Sequence, residues 1–298
     1  MRATPCGCSY HEIAGATVLF SPDTATVADS TLSFTETVHL LADVSGDLIL
    51  EYFQTGVDVE HKSDNSPVTI ADRGAEEVMR QIIMRRHPSH GVLGEECGEH
   101  LPEAEYRWVL DPIDGTKSFV SGVPLFGTLI ALCKNGDPVF GCANFPALGL
   151  RYFGDGNVTT VNGAVTRMRD NIVLSDATLL VTDHVDVWRH KNGAAFDALA
   201  SRVRLYRSWG DCYGYALLAS GNADIMVDPI LKSWDMLALI PIIRGAGGIV
   251  SSYEGGDPLT ANSLVAAAPH LHAAVIAALA KEVEQGNEGV HTRCVSVS

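Results

Sequence analysis

Trp108-Val109-Leu110-Asp111-Pro112-Ile113-Asp114-Gly115-Thr116 is the stretch whose reading decides both fold and chemistry. An apolar run that meets Pro and Gly reads as a buried strand ending in a tight turn. Asp111 and Asp114 then stand at the mouth of that strand, backed by Gly115, which lets a ligand approach the backbone closely. The N–H groups of Gly115 and Thr116, at an expected helix start, suit an anion. Carboxylates beside an anion site make sense when hard cations sit between them, a combination that points to Mg²⁺-assisted phosphate chemistry.

Outward from this stretch the chain divides by texture. Residues 1–32 lack sustained periodicity and read as a flexible N-terminal arm. From Ser33 onward Leu40, Leu41, Val44, Leu48, Ile49 and Phe53 recur at helical spacing, with Ser33 or Thr35 as candidate cap. A second helix is expected from Asp72 to His87, with Val78, Met79, Ile82 and Ile83 as its buried stripe and Pro88 beyond its end. Asp72 closes Pro67-Val68-Thr69-Ile70-Ala71 and would sit at that helix's N-terminus. Short strands follow over 91–93, 108–110, 127–133, 138–144 and 151–153, separated by turns such as Asn135-Gly136-Asp137-Pro138.

Beyond Ser175 strands (178–181, 203–206, 224–227, 248–251, 263–267) alternate with helices (192–201, 212–220, 234–244, 271–284). The expected organisation is α/β overall, with an α+β first half. An α+β subdomain over 33–174 would hold metal and phosphate, an α/β subdomain over 175–285 would hold substrate, and a cleft would separate them. Residues 286–298 read as a flexible tail.

Composition limits the function classes. With 46% apolar and 19% charged residues in 298, the chain has the makeup of a globular protein large enough for two modest cores. A formal charge of −15 leaves no basic stripe for nucleic acid. It would also repel a phosphate ester, unless bound divalent cations reverse the local field. Seven cysteines without paired spacing read as free thiols in a reducing compartment, and Cys6-Gly7-Cys8 lacks the second half of a metal site. No apolar run approaches the ~18 residues of a membrane span, so the reading is cytoplasmic, with organellar targeting by the arm left open.

Four acidic clusters carry the chemistry: Asp72, Glu95-Glu96 after Gly94, Asp111 with Asp114, and Trp234-Asp235 ahead of Gly247-Gly248. Each has a plain alternative. Asp72 and Asp235 can be helix caps, Glu95-Glu96 a solvated pair, and Asp111 a turn former. Together they resemble the inositol monophosphatase family of Mg²⁺-dependent, lithium-sensitive phosphatases over residues of about 62–250. That resemblance implies the layered αβαβα sandwich of the sugar phosphatases and a homodimer. It further implies that Glu95, Asp111, the Ile113 carbonyl, Asp114 and Asp235 hold two or three Mg²⁺ ions, while Gly115 and Thr116 cradle the phosphate. Asp72, Glu95 and the Thr116 hydroxyl would be catalytic, with Asp72 and Thr116 positioning and deprotonating an attacking water. For Thr116 a purely structural turn hydroxyl is the plain alternative.

Two further stretches bear on the substrate. Lys117-Ser118 replaces the Thr-Asn usual in inositol phosphatases, and Arg207-Ser208-Trp209-Gly210-Asp211-Cys212-Tyr213 opens a helix. Both are similar to the histidinol-phosphate phosphatase branch, although Lys also occurs there in the sulfur-assimilation nucleotidase branch. The resemblance implies hydrolysis of L-histidinol phosphate in histidine biosynthesis, with no nucleic-acid or membrane partner. Histidinol phosphate carries an ammonium and an imidazole, so acidic groups facing it would favour it over a neutral polyol. Asp211 and Asp228 are the candidates. Helix capping and a strand-end role are their plain alternatives, and an Asp at 228 is shorter than the acid usual there. Arg207 would anchor the cleft or pair across a subunit boundary. The scattered His61, His87, His90, His100 and His184 read as surface or loop residues. An inositol-1-phosphate or broad sugar-phosphate phosphatase, and a non-catalytic metal-binding regulator, remain as other readings.

Overall fold

Along the strand Tyr106–Asp114 successive side chains enter different cores: Trp108 and Leu110 join one buried cluster, Val109 another. The neighbouring strand Gly127–Lys134 repeats this, with Ile130 and Leu132 on one side and Leu129, Ala131 and Cys133 on the other. Strands apolar on both faces must be covered on both faces, and that requirement generates the layers. The computed structural model describes residues 34–56, 60–61 and 67–281. The arm over 1–32, Ser33, the Cys6-Gly7-Cys8 fragment and the tail over 286–298 lie outside the described residues.

Two helices, Phe34–Tyr52 and Ile70–Arg86, pack together on one face of an eight-stranded sheet. That sheet is antiparallel apart from the parallel pairing of Gly91–Gly94 with Tyr106–Asp114. Its other face meets a middle layer of helices, Asp211–Ala219, Ser233–Met236 and Leu239–Gly245. Beyond them lies a five-stranded sheet in which Thr178–Leu180 runs parallel to Leu205–Arg207 and to Ile225–Asp228. Helices His184–His190, Gly193–Ala200 and Pro269–Leu279 close the far side. The order is the expected αβαβα. Among the described residues no helix is long and apolar enough to cross a membrane.

Several boundaries differ from the sequence reading, for local reasons. The strand does not stop at Leu110. It continues through Asp114 with a register shift between Asp111 and Asp114, so the missing N–H of Pro112 falls at a bulge. Thr128 Oγ1 donates to the Pro112 carbonyl at 2.9 Å and holds the bulge in place. Of the stretch 67–71 only Pro67–Val68 is strand, and the second helix begins at Ile70 with Thr69 as its cap. Asp72 is therefore not the cap; it sits in the first turn and accepts from the Thr69 N–H at 2.8 Å. Residues 234–244 form two helices rather than one, the second starting two residues before Pro241, whose absent N–H is harmless in a first turn. Helix His184–His190 and the short strands Gly98–His100, Thr159–Val161 and Ala164–Thr166 have too few buried residues to show a period. His87 and His90 are not plain surface residues. Their rings stack at 4.7 Å, and His90 Nδ1 accepts from Trp108 Nε1 at 3.1 Å.

The middle layer approaches the first sheet backbone to backbone. A Cβ on Gly141 would lie 1.9 Å from the Ala238 carbonyl oxygen, and one on Gly154 would lie 2.6 Å from the Ile242 Cα. Gly141→Ala should therefore push the helix that follows Asp235 off the sheet. A loss on the order of 1–3 kcal/mol or more in urea unfolding is expected, because the colliding atom is backbone and cannot swing aside.

Candidate active site

The bulge turns both carboxylates of the central strand toward the same space. One carboxylate oxygen from each of Asp111, Asp114 and Asp235 lies within 4.8 Å of the others. Three independent anchors hold them. Asp111 is 2% exposed on the strand itself. Asp114 Oδ2 accepts from the Cys212 N–H at 2.5 Å, across from the start of helix Asp211–Ala219. Asp235 Oδ2 accepts from the Lys232 N–H at 2.7 Å, a first-turn contact that leaves its other oxygen uncommitted to the cap.

Glu95 arrives on the turn that follows strand Gly91–Gly94, and the residue that shapes this turn was not foreseen. Glu76, fully buried on the second helix, accepts from the Glu96 N–H at 2.7 Å and the Cys97 N–H at 3.1 Å. It also pairs with Arg80 at 2.6 Å, and Arg80 reaches the Gly98 carbonyl. Gly94 must be glycine here, since a Cβ would fall 2.0 Å from Glu76 Oε1. The available signal was a Glu-Arg pair four residues apart on the helix's apolar face, where charges are rarely placed unless paired.

Crowding and burial act on every acid of the group. Asp111 is pushed well above the usual carboxylate range, first by burial and then by Glu95, Asp114 and Asp235. Asp114 is raised in the same way, by burial and by Asp211 and Asp235, against the Cys212 bond. Burial carries Asp235 to about 7, despite its Lys232 bond, and Asp72 to about 6, despite its Thr69 bonds. Among the described residues, Asp111 Oδ1 and Asp72 Oδ1 are buried with no hydrogen-bond partner. Oxygen donors alone, gathered with unmet acceptor capacity and mutual repulsion, fit one or more hard divalent cations.

The Gly115-Thr116 turn lies alongside. Gly115 adopts φ 80°, which only glycine takes readily, and leads into helix Thr116–Val120. The Thr116 hydroxyl donates to the Ile113 carbonyl at 2.9 Å, so its lone pairs face outward. Asp211 comes over the turn from the other side: its Oδ2 lies 3.1 Å from where a Gly115 Cβ would be. Asp211 is held at φ 49°, a left-handed conformation unusual outside glycine, and burial beside Asp228 raises it to about 6 against the pull of Lys117.

A cleft of about 450 Å³ unites Glu95, Asp114, Gly115, Thr116, Asp211 and Asp235, with Lys117 at its edge. Asp228 reaches its wall but is only 1% exposed, whereas Asp111, Ile113 and Asp72 are buried outside the lining. Arg207 is exposed on its strand, with Nη1 donating to the Tyr206 carbonyl at 2.7 Å. Thr182 and Tyr215, which line the same cleft, had no signal in the sequence.

The profile described as "Inositol monophosphatase family" matches residues 31–285. The chain belongs to that family. It is 44% identical over 220 residues to "Bifunctional phosphatase IMPL2, chloroplastic" of Arabidopsis thaliana, covering 73% of this chain and 63% of that protein. The match thus spans less than two thirds of the plant protein's length. To a histidinol-phosphatase of Chlorobaculum parvum it is 42% identical over 217 residues, 72% of this chain and 84% of the relative. A solved inositol monophosphatase from Zymomonas mobilis superposes with a TM-score of 0.74 at 38% identity, covering 82% of this chain and 96% of that one.

Two outcomes are expected from the site's electrostatics. Asp72, Asp211 and Asp228, at about 6, and Asp235, at about 7, all stand above the ordinary 3.8. The folded chain therefore holds these protons more tightly than the unfolded one. Their contribution to stability is complete below the unfolded value and lost as pH rises through the folded values. Cation-free protein should gain melting temperature between about pH 8 and pH 6, and added divalent cation should flatten that slope in calorimetry. Separately, Glu76→Ala strands Arg80 and two N–H groups, and chemical denaturation should show a loss of about 3–5 kcal/mol.

Proposed function

We propose that this protein is a Mg²⁺-dependent phosphomonoesterase that hydrolyses L-histidinol phosphate to L-histidinol and phosphate. The single observation that carries the substrate is the Asp211 carboxylate standing 3.1 Å from the Cβ position of Gly115. A phosphate in that turn would meet a negative charge unless the substrate brought its own cation. Histidinol phosphate does so, because its ammonium is carried on the carbon next to the ester carbon. An inositol ester offers a neutral hydroxyl at the equivalent place. The likeness to the Chlorobaculum parvum relative supports the same choice.

Asp111, Asp114, Asp235, Glu95 and the Ile113 carbonyl would hold the Mg²⁺ ions, two or three in number. When bound, such ions lower the pKa of water, neutralise phosphate charge and stabilise a departing alkoxide. The chain's own groups do the rest. Gly115 and Thr116 present backbone N–H groups to the phosphate oxygens. Thr116, its proton directed to Ile113 O, accepts a hydrogen bond from the attacking water and aims it. Asp72, held at about 6 with Oδ1 unpartnered, takes up the proton near neutral pH. Asp211 orients the ammonium. In-line attack then breaks the ester P–O bond without a covalent enzyme intermediate, and the departing alkoxide takes a proton from solvent to leave as histidinol. By the same family likeness the enzyme acts as a homodimer, which light scattering checks.

Phosphate release from L-histidinol phosphate and myo-inositol 1-phosphate, measured with and without Mg²⁺, tests this reading. The expected outcome is Mg²⁺-dependent release with strong preference for the first ester. Comparable or reversed rates would keep a phosphatase and replace its substrate with an inositol or broader sugar phosphate. Asp114→Asn should lose nearly all turnover while keeping its circular dichroism spectrum; substantial Mg²⁺-dependent activity in that variant would sink the cation assignment.

A further inference from the structure

Asp228 ends the strand Ile225–Asp228, and both of its carboxylate oxygens already have protein partners. Oδ1 accepts from the Thr182 N–H at 3.1 Å and Oδ2 from the Tyr215 hydroxyl at 2.8 Å. With 1% of its surface exposed, it presents little edge to a substrate. The two partners lead to the same place. Thr182 follows the parallel strand Thr178–Leu180, and its Oγ1 accepts from the Asp211 N–H at 2.8 Å. Tyr215 lies one turn further along the helix that Asp211 begins. Three hydrogen bonds, with the helix turn that joins Asp211 to Tyr215, thus close a ring from Asp228 through Thr182, Asp211 and Tyr215 back to Asp228.

The ring controls a strained point. Gly210 lets strand end and helix start touch, since a Cβ there would lie 2.1 Å from the Thr182 Cα. Immediately after it Asp211 takes its left-handed φ of 49°, and the next N–H, that of Cys212, donates to Asp114 Oδ2 at 2.5 Å. A residue stays in such a conformation only when its surroundings over-determine it. Here the Thr182 hydroxyl holds the Asp211 N–H directly, and the Tyr215 bond to Asp228 ties the helix that follows to the same strand end. Groups that orient a metal-binding carboxylate through a hydrogen bond govern its affinity without touching the ion.

We propose that Asp228, Thr182 and Tyr215 form a positioning frame that aims the Cys212 N–H at Asp114 and holds Asp211 over Gly115, so that Asp228 serves the cation site through this frame and does not contact substrate. The inference rests on the proposed function in taking Asp114 as a cation ligand. It departs from that reading's sequence-level expectation of Asp228 as a substrate contact. Thr182→Val keeps the side chain's shape and removes the acceptor. Thr182→Ser keeps the acceptor. Asp228→Asn keeps an oxygen for Thr182 and removes the charge.

Mn²⁺ binding to the full chain, followed by titration calorimetry, is the direct readout. Thr182→Val should weaken Mn²⁺ binding about tenfold, while Thr182→Ser stays near wild type. Asp228→Asn should lower kcat/KM by the same factor on L-histidinol phosphate and on a neutral phosphate monoester. Wild-type Mn²⁺ affinity in Thr182→Val would overturn the frame. So would a loss in Asp228→Asn confined to the ammonium-bearing ester, the mark of direct contact. If Thr182→Val does not fold, Tyr215→Phe carries the test: Mn²⁺ affinity must fall, and an unchanged value overturns the frame. Asp114→Asn separates the two levels. Weak Mn²⁺ binding there with wild-type binding in Thr182→Val removes the frame alone, whereas wild-type binding in Asp114→Asn removes the cation assignment and the frame with it.

Discussion

Holding three carboxylates within 4.8 Å of one another, partly out of water, is the constraint from which the rest of the molecule can be read. Like charges at that distance repel strongly, and the repulsion grows as the local dielectric falls. Nothing in the acids themselves keeps them together. They, and Glu95 beside them, are held from behind by backbone from three different parts of the chain. The strand bulge at Pro112 carries Asp111 and Asp114, the first turn of helix Ser233–Met236 carries Asp235, and the turn braced by Glu76 carries Glu95. The scaffold bears the electrostatic cost, and a bound divalent cation would relieve it.

Several of the chain's closest approaches fall at these supports. Glycines occur at the approaches that bring these supports together: Gly94 against Glu76, Gly141 and Gly154 against the helix after Asp235, and Gly210 against Thr182. At each the neighbouring atom leaves no room for a Cβ. The buried Glu76–Arg80 pair belongs to the same economy. An ion pair that far from water contributes little to stability compared with apolar residues of the same volume. It is worth having because Glu76 also accepts two N–H groups of the turn bearing Glu95, which an apolar side chain cannot do.

The middle helical layer gives the site its two-sidedness. Its helices bury one face against the eight-stranded sheet and the other against the five-stranded sheet, so a single apolar cluster runs from Val109 and Leu129 to Met226 and Ala266. The carboxylates carried by the first sheet and the Asp211 carboxylate at the start of a middle-layer helix therefore belong to one packed body. The Cys212 N–H to Asp114 bond is where the two halves meet at the chemistry. The acidic cluster and the Asp211 carboxylate are thus tied to one helix start.

Much of this was legible in the residues alone. Apolar runs bounded by Gly, Asn and Pro turns, together with helical spacing, located most elements, and the layered order came from the family resemblance of the acidic clusters. The acidic clusters were visible because Asp and Glu beside Gly and Pro at strand ends are chemically conspicuous. Pro112 misled, since a sequence cannot show that a bulge will absorb the lost N–H and let the strand run to Asp114. Residues 234–244 misled similarly, because apolar periodicity does not register a break between two buried helices. What the chain could not disclose by itself was which acids converge and what holds them. Glu76, Thr182 and Tyr215 act through contacts with residues 20, 46 and 13 positions away, or through strained backbone at Asp211. Local residue type and spacing set the elements and the reaction class; distances between elements, fixed only by packing, decided the geometry of the site.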